Sequence, residues 1–353
     1  GPDGSPTGVL KEGSADRARA AIPEPPEDQW IRMLKAVIAH ANSLGITSVH
    51  DFVEPVQMRA YEGLNRSGEL AIRATLMPYA PQLGALHSAG LRTGSGDEWV
   101  RVGAIKVFAD GSFGARTAAL FDPYDDDSRA TGPLVRSPKE LAATLARAHG
   151  AGFQLAVHAI GDRAIDVVVE AYDRVLGREP RKDHRHRIEH SELMTDDARE
   201  RVKDLALVLS MQPNFVARWS HPGGLYERRL GHDRLPRNNP FRLLLKRGIP
   251  LAFGSDGMPY GPLYGLAGAV GAPFDDQQIA PEEALRAYTR AGAFASFEES
   301  EKGSLAAGKL ADFVVLSADP RRAQQVAGLA VHATVVAGRL VYDRPGHRRS
   351  HES

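Results

Sequence analysis

From residue 46 onward, short β-branched apolar runs alternate with longer stretches of helical periodicity. GITSVHDF (45–52) predicts a strand and EPVQMRAYEGLNRSG a helix. AIRATLMPYA (71–80) predicts a second strand and, after a Gly-rich loop, VRVGAIKVFADG (100–111) a third. SPKELAATLARAHGAG predicts a helix with Ser137 as N-cap and Gly150 and Gly152 as stops, leading into a strand at FQLAVHAIGD (153–162). A helix from Arg163 to Leu176 precedes HRIEHSEL (186–193), and a charged helix at 195–204 precedes LALVLSMQPNF (205–215). Helical PFRLLLKRG then precedes the last strand of the series, IPLAFGSDG (249–257).

Apolar strands separated by amphipathic helices predict a parallel sheet covered on its faces, either an open doubly wound sheet or a (β/α)8 barrel. Lys106, Asp110, His158, Glu189, His190, Gln212, Ser255 and Asp256 all fall in or just past the C-terminal ends of different strands. A barrel gathers such ends at one mouth, whereas an open sheet spreads them along an edge, so the α/β TIM barrel is the expected fold. After Asp256 the rhythm changes: 280–296 is helical, 301–320 holds a turn and a strand, and 330–343 predicts a hairpin about Ala337-Gly338. The expected organisation is an irregular segment at 1–27, a barrel at 28–300, a small β-sandwich portion at 301–343 and a polar tail at 344–353.

The 353 residues carry 44 Lys+Arg against 44 Asp+Glu, which lacks the basic surplus of a nucleic-acid or anionic-membrane binder. No Cys is present, excluding disulfides, thiolate metal sites and a Cys nucleophile. No apolar run approaches the roughly 18–20 residues of a membrane span, and the opening stretch has no signal-peptide pattern. A cytoplasmic protein acting on a small molecule, with no nucleic-acid or membrane partner, is expected.

His158 and His190 end consecutive predicted strands, and Asp256 follows Gly254-Ser255 at the end of the last. Lys106 interrupts the apolar run AIKVF, where an unpaired ammonium costs several kcal/mol, so it serves a buried ion pair, a Schiff base or, once carbamylated, a metal. The alternative for each His alone is a hydrogen-bonded structural residue. His184 and His186, in the charged stretch DHRHR, are expected to be solvated. His221 and His232 fall in a Gly/Pro-rich loop where they can touch substrate, and His50 suits a buried hydrogen bond as well as a site role. The loops at 81–98 and 216–240, with Trp219 and Tyr226, are expected to shape the pocket.

The segments IKVFADGSFGARTAALFDPY (105–124), VHAIGDRAID (157–166), HRIEHSEL, MQPNF, LGHDR, GSD, EEALRAYT and GSLAAGKLADFVVL resemble, in order, the motifs of the YtcJ-like branch of the amidohydrolase superfamily. That branch includes N-substituted formamide deformylase. The resemblance implies a (β/α)8 barrel beside a β-sandwich, and hydrolysis of an amide-type C–N bond at a divalent metal, zinc being the expected ion. By position it implies Lys106, carbamylated, with His158, His190 and Asp256 as metal ligands, and Asp256 as catalytic acid/base. Asp110, Arg116, Gln212 and His221 are the substrate-binding candidates, with a loop-bracing ion pair as the alternative for Asp110 and Arg116. The branch's H-x-H pair at the end of its first strand is absent before Lys106, and DHRHR lies in the wrong place. The expectation is a chain that lacks that strand and is impaired by itself. The missing segment or a second copy is the expected partner. A non-catalytic truncated barrel or partner subunit, and a Schiff-base enzyme using Lys106, are the alternatives.

Overall fold

The computed structural model describes residues 5, 7–10, 13–257, 259–322 and 326–346. Each of the seven predicted strands is present. They are β1 Ser48–Val53, β2 Arg73–Pro78, β3 Val100–Val102 with β4 Ile105–Phe108, β5 Leu155–Ala159, β6 Arg187–His190, β7 Val208–Met211 and β8 Leu251–Phe253. The run at 100–111 is two strands because its halves have different neighbours: β3 pairs with β2, and β4 with β5. Between them Gly103 passes so close to β2 that a Cβ there would meet Thr75 Cγ2 at 2.6 Å.

The helices are α1 Gly13–Ala20, α2 Glu27–Ser43, α3 Pro55–Arg66, α4 Leu83–Ser88, α5 Pro138–Gly150, α6 Asp162–Arg178 and α7 Asp196–Asp204. They continue as α8 Pro213–Trp219, α9 Leu225–Arg234, α10 Phe241–Lys246, α11 Pro262–Val270, α12 Pro281–Tyr288 and α13 Arg290–Ala295. Ser137 caps α5 as predicted, its hydroxyl accepting from Glu140 N–H at 3.3 Å. Three expected irregular segments are partly helical: α1 lies within 1–27, α4 within 81–98, and α8 and α9 occupy much of 216–240, where local helix formation outweighed the Gly and Pro residues.

All pairings from β1 to β8 are parallel, in the orders β1-β2-β3 and β4-β5-β6-β7-β8, and a bridge between Tyr79 and Lys106 joins the two sheets. In a flat sheet β1 and β6 would stand about 19 Å apart, four strand spacings. Instead Arg187 on β6 donates from Nη1 to His50 Nδ1 on β1 at 2.8 Å, so the sheet curls until its ends face across one interior. Closure stops there. Among the described residues neither β1 nor β8 pairs with a strand on its free side, and a complete barrel is not formed. On the β1 side burial reflects this, since 48–52 are only half-buried whereas the inner strands β2, β6 and β7 are buried throughout; β8 is buried despite its free edge.

At the C-terminal end β9 Phe313–Leu316, β10 Val331–Val336 and β11 Arg339–Asp343 form one antiparallel sheet, with the predicted hairpin turning at Ala337 and Gly338, φ 51° and 72°. A second sheet that would make a sandwich is not seen among the described residues. A buried pair fastens this unit to the curled sheet: Arg73 Nε meets Asp312 Oδ2 at 2.6 Å, the two side chains 1% and 4% exposed. The expected tail lies outside the described residues beyond 346. No described helix is long and apolar enough to cross a membrane.

His184 and His186 are buried, correcting the expectation of solvation. His186 Nε2 and His149 Nδ1 are 2.8 Å apart, His149 Nε2 reaches Glu179 O at 2.8 Å, and His184 Nε2 reaches Leu205 O at 3.0 Å. The charged composition of DHRHR disguised a segment whose rings pack under the N-terminal end of β6.

Candidate active site

The C-terminal ends of the strands open on a cavity of about 550 Å³. Lys106 from β4, His158 from β5, His190 from β6 and Asp256 past β8 all line it. Aromatic rings line it as well: Phe52, Phe108, Phe113, Phe215, Trp219 and Tyr226, the last three carried by α8 and α9. Trp219 and Tyr226 thus stand where the sequence placed pocket-forming loops, whereas nothing from 81–98 contributes.

The two imidazoles are neighbours, with ring centroids 4.5 Å apart. His158 Nε2 lies 2.9 Å from the Gly111 carbonyl, so that nitrogen carries the proton and Nδ1 keeps its lone pair. His190 Nδ1 donates to Gln212 Oε1 at 2.7 Å, while the Gln212 amide donates to Ser210 O at 3.3 Å; the free lone pair of His190 is on Nε2. Burial holds both rings below the usual His range, helped for His158 by His190 and Lys106 and for His190 by Lys106. Both are neutral near pH 7, the form that binds metals, and each is oriented by a partner on its other nitrogen.

Lys106 is 1% exposed and among the described residues its Nζ has no hydrogen-bond partner, lying 4.0 Å from the Phe52 ring centre and 4.7 Å from that of Phe108. Burial lowers its pKa to about 8 against the pull of Glu189 and Asp256. Glu189 itself is engaged with Arg187, which grips it from two nitrogens at 2.7 and 2.9 Å. Asp256 is exposed at the cavity mouth, its Oδ1 accepting from Gly257 N–H at 2.8 Å. His190, Ser191 and Asp256 have φ of 76°, 50° and 51°, left-handed backbone at two strand ends of the kind that concentrates at functional sites.

The substrate-binding candidates part company. Gln212 orients His190. Asp110 is buried and accepts from the N–H groups of Ala119, Ile160 and Gly161 at 2.9–3.0 Å, so its carboxylate braces the loop after β4 rather than facing substrate. Arg116 is turned to Asp126, at 2.8 and 2.9 Å, and His221 is exposed with Nδ1 near its neighbour's carbonyl at 3.0 Å; neither lines the cavity. Glu192 does line it and is not among the residues that the sequence pattern singles out, since it lies past the end of β6 in the segment where His190 carries the signal. Its carboxyl is pushed up to about 7, chiefly by burial.

The donor chemistry fits part of a metal centre. His158 Nδ1 and His190 Nε2 supply two neutral nitrogens, and the orphaned Lys106 amine stands by them as an incipient third ligand. Among the described residues no group of three or more His, Asp or Glu side chains is arranged to hold a metal ion. The described set is therefore short of the three ligands of a catalytic zinc site.

The Bacillus subtilis protein YtcJ, named as an amidohydrolase, is 31% identical over 363 residues, which cover 97% of this chain and 67% of that protein. N-substituted formamide deformylase of Arthrobacter pascens is 28% identical over 97% of this chain and 66% of its own length. Among solved structures, an uncharacterized metal-dependent hydrolase from Pyrococcus horikoshii superposes with a TM-score of 0.78 at 32% identity, covering 89% of this chain and 65% of that one. The chain thus spans about two thirds of the length of these relatives. The amidohydrolase family model matches residues 1–342, and the chain belongs to that family.

Proposed function

We propose that the chain carries the greater part of a metal-dependent hydrolase centre acting on an amide-type C–N bond. The observation that supports this best is the convergence of Lys106, His158, His190 and Asp256, from four strand ends, on one aromatic-walled cavity. His158 Nδ1 and His190 Nε2 would hold a divalent metal, zinc being the preferred assignment for two imidazoles. Lys106 would join them once its neutral amine adds to CO2 and sheds a proton, giving a carbamate. When bound, the metal supplies Lewis acidity that polarises a carbonyl and acidifies water.

Asp256, at the mouth and within reach of solvent, accepts the proton of the attacking water and returns it to the leaving nitrogen. Gln212 and the Gly111 carbonyl hold the two imidazoles in the required tautomers. The aromatic wall packs on the apolar part of the substrate and keeps bulk water away. Because the described donors are fewer than three, we further propose that this chain alone turns over slowly, and that a strand seated between β1 and β8 completes it, whether from a longer form of the polypeptide or from a second copy.

The test is amine release from a panel of N-acyl amines by zinc-loaded protein. Weak turnover that disappears in Asp256→Asn supports the reading; turnover unaffected by that change contradicts it. Borohydride inactivation in the presence of a carbonyl compound, lost in Lys106→Met, would instead identify Schiff-base chemistry.

A further inference from the structure

Part of the cavity wall comes from two segments that lie outside the sheets. One is the loop between β4 and α5, which brings Phe113 and Gly114; the other is α8 with α9, which brings Phe215, Trp219 and Tyr226. Strand pairing cannot fix one against the other. Arg229 on α9, which does not itself line the cavity, joins them. Its side chain is 13% exposed and all three guanidinium nitrogens are engaged: Nε donates to the Phe113 carbonyl at 3.1 Å, Nη2 to the Gly114 carbonyl at 3.2 Å, and Nη1 to Asp126 Oδ2. Asp126 is held in turn by Arg116, and the Asp125 N–H donates to the Arg229 carbonyl at 3.0 Å. The planar guanidinium is a rigid, pre-organised fork, so these contacts fix direction as well as distance.

What the fork places is the Phe113 ring. It is 1% exposed and stands edge-on to Tyr226, the ring centres 5.7 Å apart and the planes at 84°. From Tyr226 the contacts run to Trp219 at 5.7 Å, from there to Phe215 at 4.9 Å, and on to the His190 ring at 6.1 Å. One chain of rings leads from Arg229 to an imidazole of the candidate centre. Close-packed interiors transmit small displacements, so a shift of the Phe113–Gly114 backbone alters the shape of this wall.

We infer that Arg229 is a positioning residue: through the backbone of Phe113 and Gly114 it sets the ring wall that receives the apolar part of the substrate. The inference rests on the hydrolase reading, and it assigns selectivity for an apolar group to a side chain that does not line the cavity.

A double-mutant cycle tests it, by calorimetric titration of the full chain with 3-phenylpropanamide, a neutral arylalkyl amide, and with circular dichroism to check the fold of each variant. Arg229→Met and Phe113→Leu should each weaken the probe about fivefold, and the double variant also about fivefold, because both changes remove the same placed ring. A role in general stability alone would leave the two losses independent, and they would multiply to about 25-fold. That product overturns the inference, as does a wild type that does not bind the probe, or either single change that leaves its affinity within about twofold. If Arg229→Met or the double variant does not fold, Asp126→Asn takes its place, with about threefold expected alone and about fivefold together with Phe113→Leu; a combined loss of about 15-fold overturns the inference. Neither metal nor turnover enters this measurement. An active hydrolase with independent losses would lose this inference alone, and a chain with coupled losses but no hydrolysis would lose the activity alone.

Discussion

Lys106 shows most plainly how function and stability pull apart at a single residue. An amine buried without a hydrogen-bond partner is costly, and replacing buried charge with an apolar side chain of similar volume is often neutral or stabilising. Glu189 would keep its two-nitrogen grip from Arg187 after such a change. Lys106→Met is therefore expected to raise the thermal midpoint at pH 7, by about 1–3 kcal/mol in stability, while abolishing hydrolysis. A clear drop in the midpoint would show that Lys106 serves structure. The converse case is Arg187→Leu, which strands Glu189 in the interior and should cost about 3–5 kcal/mol in a denaturant titration. Lys106 was legible because it interrupts an apolar strand, and His158, His190 and Asp256 because each is a polar residue near or just past a strand end. Glu192 was not, because its place in the cavity wall beside Tyr226 of α9 brings together residues far apart in sequence.

Among the elements, the seven strands and their helices were readable from periodicity, since each repeats one pattern over enough residues to be unambiguous. What periodicity could not show is which strand neighbours which, and so the division at Gly103 went unseen. Burial of the DHRHR segment was equally hidden, because composition reports charge and not packing. That segment carries a pH prediction. Burial holds His149, His184 and His186 below the ordinary His range in the folded protein. Below about pH 6.5 the unfolded chain takes up protons that the buried rings refuse, so stability is fully present above that pH and falls as pH drops toward the folded values. Unfolding free energy measured between pH 7 and 5 should decline; a flat profile would mean that the rings are accessible. At the N-terminus of α5, Ser137→Ala removes the cap and should cost about 1 kcal/mol.

For the whole molecule, the sheet is curled enough to bring His50 against Arg187 and yet, among the described residues, remains unpaired between β1 and β8. Amides on the free edges of β1 and β8 should exchange with solvent much faster than those of β5 and β6, which are paired on both sides. Equal protection would show that the two edges are covered. The sequence motifs indicated a parallel, barrel-like sheet with a β-unit behind it, but whether the ring closes depends on chain pairing that no local pattern encodes.

The central claim is that two neutral imidazoles, His158 and His190, form the nucleus of a metal centre in the cavity. It is tested most directly by titrating the purified protein with Co(II) and following the visible d–d bands. The account predicts a single equivalent bound, with the bands lost or the affinity reduced about 100-fold or more in His158→Asn and in His190→Asn. It also predicts about 10-fold weaker binding in Gln212→Leu, which removes the acceptor orienting His190. Cobalt binding that survives both His substitutions would contradict it, as would a folded wild-type chain that binds no metal.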